Sequence, residues 1–339
     1  MKISVLVPCH NERLTIKKCI SSILDQSRKA DEIIVVNDGS TDKTLTILKS
    51  FKKNIRIVNI LHNTGNKSRA HEAGLKHVKG DIVITTDADT VLDRDFIKHI
   101  MEEFNDTEVV ASAGYVKSMK QNWLTSCRQI DYLISQEIHK PAQCAINALF
   151  VIPGCAAAYR VKDFREHISF DHDTLTEDLD FTYKHHKKGL KITFCKRAVV
   201  YTQDPSSLAD YIGQLRRWNG GNWQNLMKHI SIVEKPGNAL EISLMYLEGL
   251  LFPLILILAL SFNTTVFLQF SAAYILIISL FALYGAIRDK RWDLVLHIPT
   301  YYFVSFVNYA IFIEQFIVEV VLRKKSLVWF QPKRKVVFS

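Results

Sequence analysis

A short apolar run, Ile82 to Thr86, ends abruptly in Asp87-Ala88-Asp89. The run is rich in β-branched residues, so it reads as a buried strand. In an open α/β sheet, ligands bind beyond the carboxyl ends of the strands. Alternate residues of an extended chain point the same way, so Asp87 and Asp89 can converge on one ligand. Two converging carboxylates suit a hard divalent cation that also holds a diphosphate. The plain alternative is an acidic turn capping the next helix.

The chain around this junction favours the α/β reading. Strands are expected at Ile3 to Val7, closed by Pro8, at Glu32 to Val36 and at Ile55 to Leu61. Helical spacing separates them, at Leu14 to Leu24, from a Ser40 or Thr41 cap to about Phe51, and from Ser68 to Val78. Strands alternating with helices predict a mostly parallel sheet covered on both faces. The strand ends carrying Pro8, Asp38 and Asp87 would then line one nucleotide-sized cleft. Further on, Val109 to Val116 reads as a strand and residues 120–150 as helical. The small residues from Gly154 to Ala158 permit close approach of backbone to a ligand, although tight core packing is a commoner reason for them. Thr174 to Asp180 opens a helix that Thr176 could cap, with acidic residues in its first turn. An amphipathic stretch, Leu208 to Leu226, carries Gln214-Leu215-Arg216-Arg217-Trp218; its plain reading is a solvated or membrane-surface helix.

Composition divides the chain. Residues 1–235 mix charged and apolar positions as a soluble domain does, with the amphipathic stretch near 208–226 at its edge. Residues 236–322 are dominated by Leu, Ile, Phe, Val and Tyr, and residues 323–339 form a basic tail. A spanning helix needs about 20 apolar residues; stretches near 244–262, 265–287 and 294–322 qualify. The formal net charge is +9. Its basic residues flank apolar segments, which favours a membrane surface over nucleic acid. Six cysteines without Cys-x-x-Cys spacing fit a reducing compartment. With no signal peptide ahead of the first strand, the catalytic part is expected in the cytoplasm, at the plasma membrane. Three crossings would then put the basic tail outside, against the positive-inside tendency. A third stretch lying partly in the interface would resolve the conflict. Glu248 and Glu314 stand out within these segments, because carboxylates at membrane depth usually face protein or water; a position near the headgroups is the plain alternative, favoured for Glu248 at the start of its span.

Together, Val7 to Glu12, Val36 to Ser40, Asp87-Ala88-Asp89, Gly154 to Arg160, Thr176-Glu177-Asp178 and Gln214-x-x-Arg217-Trp218 resemble the membrane-bound branch of glycosyltransferase family 2. That branch includes the synthases of cellulose, chitin, hyaluronan and poly-N-acetylglucosamine. Leu175 to Asp180 and Asp204-Pro205-x-Ser207-Leu208 are most similar to the last type. There are departures. No membrane span precedes the first strand, His71 stands where an asparagine is common, and the tail Trp329 to Arg334 only loosely resembles the hyaluronan synthase tail.

The resemblance implies a GT-A-like domain and inverting transfer from a UDP-sugar with Mg²⁺ or Mn²⁺. It implies Asp89 on the metal with Asp87 beside it, and Asp38 on the uridine, helped by Pro8, Asn11 and Glu12. Arg217 would face the diphosphate, with Lys67 near it. Asp178 would be the base, with Glu177 and Gln214 alongside. Trp218, Gly154 and Cys155 would meet the acceptor. The expected partners are the donor, a glycan or lipid-linked acceptor and membrane lipid. The expected product is a growing β-linked polysaccharide built from N-acetylglucosamine or glucose. One alternative is transfer of a single sugar to a membrane lipid, as in ceramide glucosyltransferase or on a polyprenyl carrier. A transport or scaffold protein with a degenerate nucleotide-binding domain is the other; it would have no need of the full acidic and basic set.

Overall fold

The computed structural model describes residues 1–328 and 330–335, so Trp329 of the tail motif lies outside the described residues. The alternation at the N-terminus folds as a parallel sheet. Strands β1 (Ile3–Cys9), β2 (Glu32–Asp38), β3 (Arg56–Ile60) and β4 (Ile82–Thr85) pair side by side. Helices α1 (Ile16–Leu24), α2 (Thr44–Ser50) and α3 (Lys67–Leu75) connect them. The period of two sorts side chains to opposite faces. Val5, Val7, Val35, Ile82 and Ile84 join one apolar cluster with Ile16, Ile20 and Ile23 of α1. Leu6, Ile34, Val36 and Val83 join the other, with Ala70 and Leu75 of α3. Each such burial is worth roughly 1.5–3 kcal/mol, so the strand ends sit on a firm base.

Pro8 does not close β1. It lies in register with Val36, and the strand continues to Cys9. Pairing with β4 stops at Leu6, so the missing Pro8 N–H faces no partner strand and costs nothing. Nor do Ser40 and Thr41 cap α2; instead Asp42 Oδ1 accepts the Thr44 N–H at 2.9 Å.

The second half of the sheet departs from the sequence pattern. In chain order it holds β5 (Thr90–Leu92), α4 (Phe96–Glu102), β6 (Val109–Ser118) and α5 (Trp123–Ile134). A π-helical turn (Ser135–His139) leads directly into α6 (Lys140–Ala145). Then come β7 (Ala157–Arg160), α7 (Val161–His167), α8 (Glu177–Lys187) and β8 (Lys191–Thr202). Among the described residues the strands form one sheet in the order β3-β2-β1-β4-β7-β6-β8-β5. β7 runs antiparallel to β4 and β6, and β5 antiparallel to β8; the other pairings are parallel. The small residues after Cys155 are therefore mostly sheet core, with Ala157 and Ala158 fully buried. Thr176 occupies the N-cap position of α8 without capping it. Its hydroxyl accepts from Asn225 Nδ2 at 3.0 Å instead.

After β8 come α9 (Leu208–Lys228), α10 (Pro236–Phe262), α11 (Thr264–Asp289), α12 (Asp293–Leu296) and α13 (Ile298–Phe316). A second π-helical turn, Ile317–Val321, extends α13. By length and composition, 236–262, 264–289 and 298–321 are each apolar enough to cross a membrane. The stretch expected as one segment, 294–322, is broken between α12 and α13. Pro299 sits in the first turn of α13, where its missing N–H is not needed.

α13 runs alongside α9 in the same direction. Tyr211 Oη donates to Asn308 at 2.7 Å, Arg216 Nε to Glu314 at 2.9 Å and Gln224 Nε2 to Glu319 at 2.9 Å. Its other side meets the α10–α11 hairpin, with the Tyr302 hydroxyl donating to Ser271 Oγ at 2.8 Å. Glu314 thus serves an ion pair, and Glu248 accepts from Tyr309 at 3.4 Å. Beyond α13 the chain returns to the strand ends. Arg334 Nη1 lies 2.7 Å from Asp89 Oδ2, so this part of the tail meets the carboxyl ends of the sheet strands.

Candidate active site

The ends of β1, β2 and β4 open into a cavity of about 680 Å³, which α3, the α5–α6 segment, α8, α9 and the tail enclose. Its sequence-predicted members include Pro8, Glu12, Asp38, Lys67, Asp87, Asp89, Gly154, Cys155, Glu177, Asp178, Gln214, Arg217 and Trp218. Asn11 is not among the lining residues. It adopts a left-handed φ of 53° and ties two loops, its Oδ1 accepting from the Thr41 N–H at 2.8 Å.

At the end of β2, Asp38 is fixed by Thr64. The Thr64 hydroxyl donates to Asp38 Oδ2 at 2.8 Å and its N–H to Oδ1 at 3.0 Å. Beside it, Glu12 accepts from Thr15 Oγ1 at 2.6 Å, Gln331 Nε2 at 3.0 Å and Arg334 Nε at 3.1 Å. Arg334 therefore bridges Glu12 and Asp89. Burial pushes the Asp89 carboxyl up to about 7; Arg334 pulls it back, while Asp87 and Glu12 add to the rise. Asp87 behaves oppositely. Burial opposes its charge, but Lys67 at 2.6 Å holds the carboxyl below its ordinary range.

Lys67 links the two acidic motifs, because its ammonium also lies 3.2 Å from Glu177 Oε1. Gly154 makes room for that ammonium: a Cβ there would stand 3.1 Å from Lys67 Nζ. The same glycine donates its N–H to Asp178 Oδ2 at 3.2 Å, and the Leu179 N–H donates to Oδ1 at 2.9 Å. Burial, then the Glu177 charge, still lifts Asp178 to about 6 against Lys67 and these two donors. A carboxyl with that affinity for a proton, held at a cavity wall, has the properties of a general base. Arg217 enters from α9. Burial lowers its affinity for the proton, and Glu177, Asp178 and Asp87 act against that.

Trp218 is held by a residue that sequence reasoning missed. The Arg128 guanidinium of α5 lies 4.9 Å from the Trp218 ring centroid and 4.5 Å from that of Tyr211. Its Nη2 donates to Gln214 Oε1 at 3.2 Å, and Nη1 meets Asp131 at 3.2 Å. Arg128 thus orients Gln214 and Trp218 together. Gln331 and Arg334 likewise carry no functional signal of their own in the sequence beyond the loose tail resemblance.

Residues 4–168 match the family described as Glycosyl transferase family 2. The chain carries a glycosyl transferase family 2 domain. Over 230 residues it is 30% identical to poly-beta-1,6-N-acetyl-D-glucosamine synthase of Staphylococcus epidermidis, covering 67% of this chain and 56% of that protein. It is 29% identical to the synthase of the same name from Staphylococcus aureus strain COL, with the same coverage. The chain thus spans little more than half the length of the curated relatives it matches. Its fold is similar to that of a mannosyltransferase from Pyrobaculum calidifontis solved with GDP-Man and Mn²⁺. The TM-score is 0.70 at 20% identity, covering 95% of this chain and 88% of that one. The GT-A-like α/β fold expected from the sequence is the fold observed.

Proposed function

We propose that this glycosyltransferase transfers a sugar, with inversion, from a UDP-sugar to a growing β-linked polysaccharide at the membrane. N-acetylglucosamine is the donor sugar we favour, because the curated relatives are named for that polymer. The carrying observation is one cavity that holds Asp38, Asp87 and Asp89 along with Asp178, Gln214 and Trp218. A sugar bridging these groups would have Asp178 in reach of the acceptor hydroxyl and Arg217 in reach of the diphosphate.

The residues fit a divalent cation, Mg²⁺ or Mn²⁺, at Asp89 with Asp87 beside it. Glu12, Asp87 and Asp89 set three carboxylates against Arg334 and Lys67, and burial, with Asp87 and Glu12 adding to it, lifts the Asp89 carboxyl. A bound cation would supply charge neutralisation to the leaving diphosphate. Arg217 would share that task through its planar fork. Asp38 would hold the uridine and Pro8 would shape the floor beneath it. Asp178 would take the acceptor proton, and Glu177 keeps Lys67 between the two acidic motifs. Trp218 offers the acceptor sugar a flat apolar face, with Gly154 and Cys155 near its end.

In this reading residues 1–235 are the catalytic unit on the cytoplasmic face of the plasma membrane. The pairing of α13 with α9, and the return of the tail to Asp89, support two crossings, by α10 and α11, with α13 in the interface. The basic tail then stays inside, as the positive-inside tendency asks. Membranes carrying the protein, incubated with labelled UDP-sugars, test the proposal. A labelled polymer supports it, a labelled lipid moves the acceptor to the membrane, and no turnover of any UDP-sugar refutes it.

A further inference from the structure

The helix after β6 does not run evenly through the cavity wall. At Ser135–His139 it widens into a π-helical turn, and the Lys140 N–H donates to the Ser135 carbonyl, five residues back. In an α-helix, residues five apart point about 140° away from each other, from 3.6 residues per turn. The wider turn brings them onto one face, and such turns recur at functional sites. Here that face is the cavity, which both Ser135 and Lys140 line. Gln136 anchors the turn, with its side chain bonded to the N–H and carbonyl of Val116 at 2.7 and 2.6 Å.

Lys140 is an unusual wall residue. It is 6% exposed, and no carboxylate lies within ion-pair distance of it among the described residues. Its ammonium has the Phe194 ring at 5.3 Å instead. Burial lowers it to about 8, and the acidic groups it feels are the Cys155 thiol and Asp178. A buried charge without a counter-ion is costly. The diphosphate would already have Arg217, while Lys140 belongs with Cys155, on the acceptor's side in our reading.

We propose that Ser135 and Lys140 form an acceptor subsite for an acid group, a carboxylate or a phosphate, carried near the acceptor hydroxyl. Its chemistry is a charge-assisted hydrogen bond from Lys140 with the Ser135 hydroxyl as second donor. A uronic acid in the glycan and a phosphate linking the acceptor sugar to a lipid are the two sources. The inference rests on the glycosyl-transfer reading only in calling this end the acceptor's.

The test uses the full chain in lipid nanodiscs and three probes: a glycan ending in a uronic acid, its carboxyl-reduced neutral twin, and a short polyprenyl phosphate sugar. Titration measures binding without any donor, so a wrong donor sugar leaves it readable. We expect an acid probe to bind at least tenfold more tightly than the neutral twin. Lys140→Met should remove that preference, Lys140→Arg should keep most of it and Ser135→Ala should lose a smaller part. Neutral-probe binding should stay unchanged. Preference for the uronic acid or for the phosphate identifies the source. Equal binding of all three probes, or equal weakening of acid and neutral probes by Lys140→Met, would overturn the subsite. Failure of the glycosyl-transfer reading would show separately, as absence of UDP-sugar turnover by the unaltered protein.

Discussion

The end of the cavity that we assign to the nucleotide and the end that we assign to the acceptor are built on different principles. The first rests on strand ends: Asp38 closes β2, and Asp87 and Asp89 follow β4 within a few residues of buried sheet. The second rests on helices distant in sequence, with Arg128 of α5 holding Gln214 and Trp218 of α9. Strand ends inherit their position from a doubly covered core. Helix faces inherit theirs from a buried polar network, in which each partner depends on the others. The first should therefore fail locally when altered, and the second collectively.

The largest effect expected concerns the nucleotide end. Activity should vanish on chelation of divalent cations and return with Mg²⁺ or Mn²⁺. Full turnover in excess EDTA would mean that Arg217, Lys67 and Arg334 neutralise the diphosphate alone, and would erase the distinction between the ends.

Next in size is a pH effect. As the base we propose, Asp178 must be ionised, and burial, then Glu177, lifts its carboxyl to about 6. Its working form is lost as pH falls through that value. The rate at saturating substrate should fall about tenfold per pH unit below it. A flat profile down to pH 5 would place the base elsewhere.

The smallest effects belong to the acceptor end. Trp218→Ala should weaken elongation about tenfold, in line with the roughly 1.5–3 kcal/mol that burial of an aromatic supplies. It should spare hydrolysis of the UDP-sugar. Arg128→Lys should act in the same direction, because lysine keeps the charge but loses the planar fork that stacks on Trp218 and reaches Gln214. Elongation and hydrolysis falling together in both variants would make Trp218 an anchor of α9 and nothing more.

The same contrast explains what could be read from the sequence. Asp87, Asp89 and Asp178 were legible because each sits in a short motif at the end of a strand or the start of a helix. The parallel half was legible because its central strands β1, β2 and β4 hold buried apolar runs between helical spacings. β7 was not, since Ala157-Ala158 reads equally as a loop that admits a ligand. β8 hides behind irregular pairing with β6, where the register shifts between Gly114 and Tyr115. Arg128, Lys140 and Arg334 carry no local signal. A lone basic residue in a helix or tail reads as solvated, and only tertiary packing buries Arg128 and Lys140 and half-buries Arg334. The apolar stretch after residue 293 was legible as apolar, but not as a helix laid along α9. Hydropathy reports the environment of a face and not its direction.

One measurement bears on the central claim, that Asp178 acts on the acceptor apart from the site that holds nucleotide and metal. Isothermal titration of UDP with Mn²⁺ should give the same affinity for Asp178→Asn as for the unaltered protein, while sugar transfer by that variant is lost. Asp89→Ala should lose the binding itself. If Asp178→Asn loses UDP binding as completely as Asp89→Ala, Asp178 belongs to the metal site and the account is wrong.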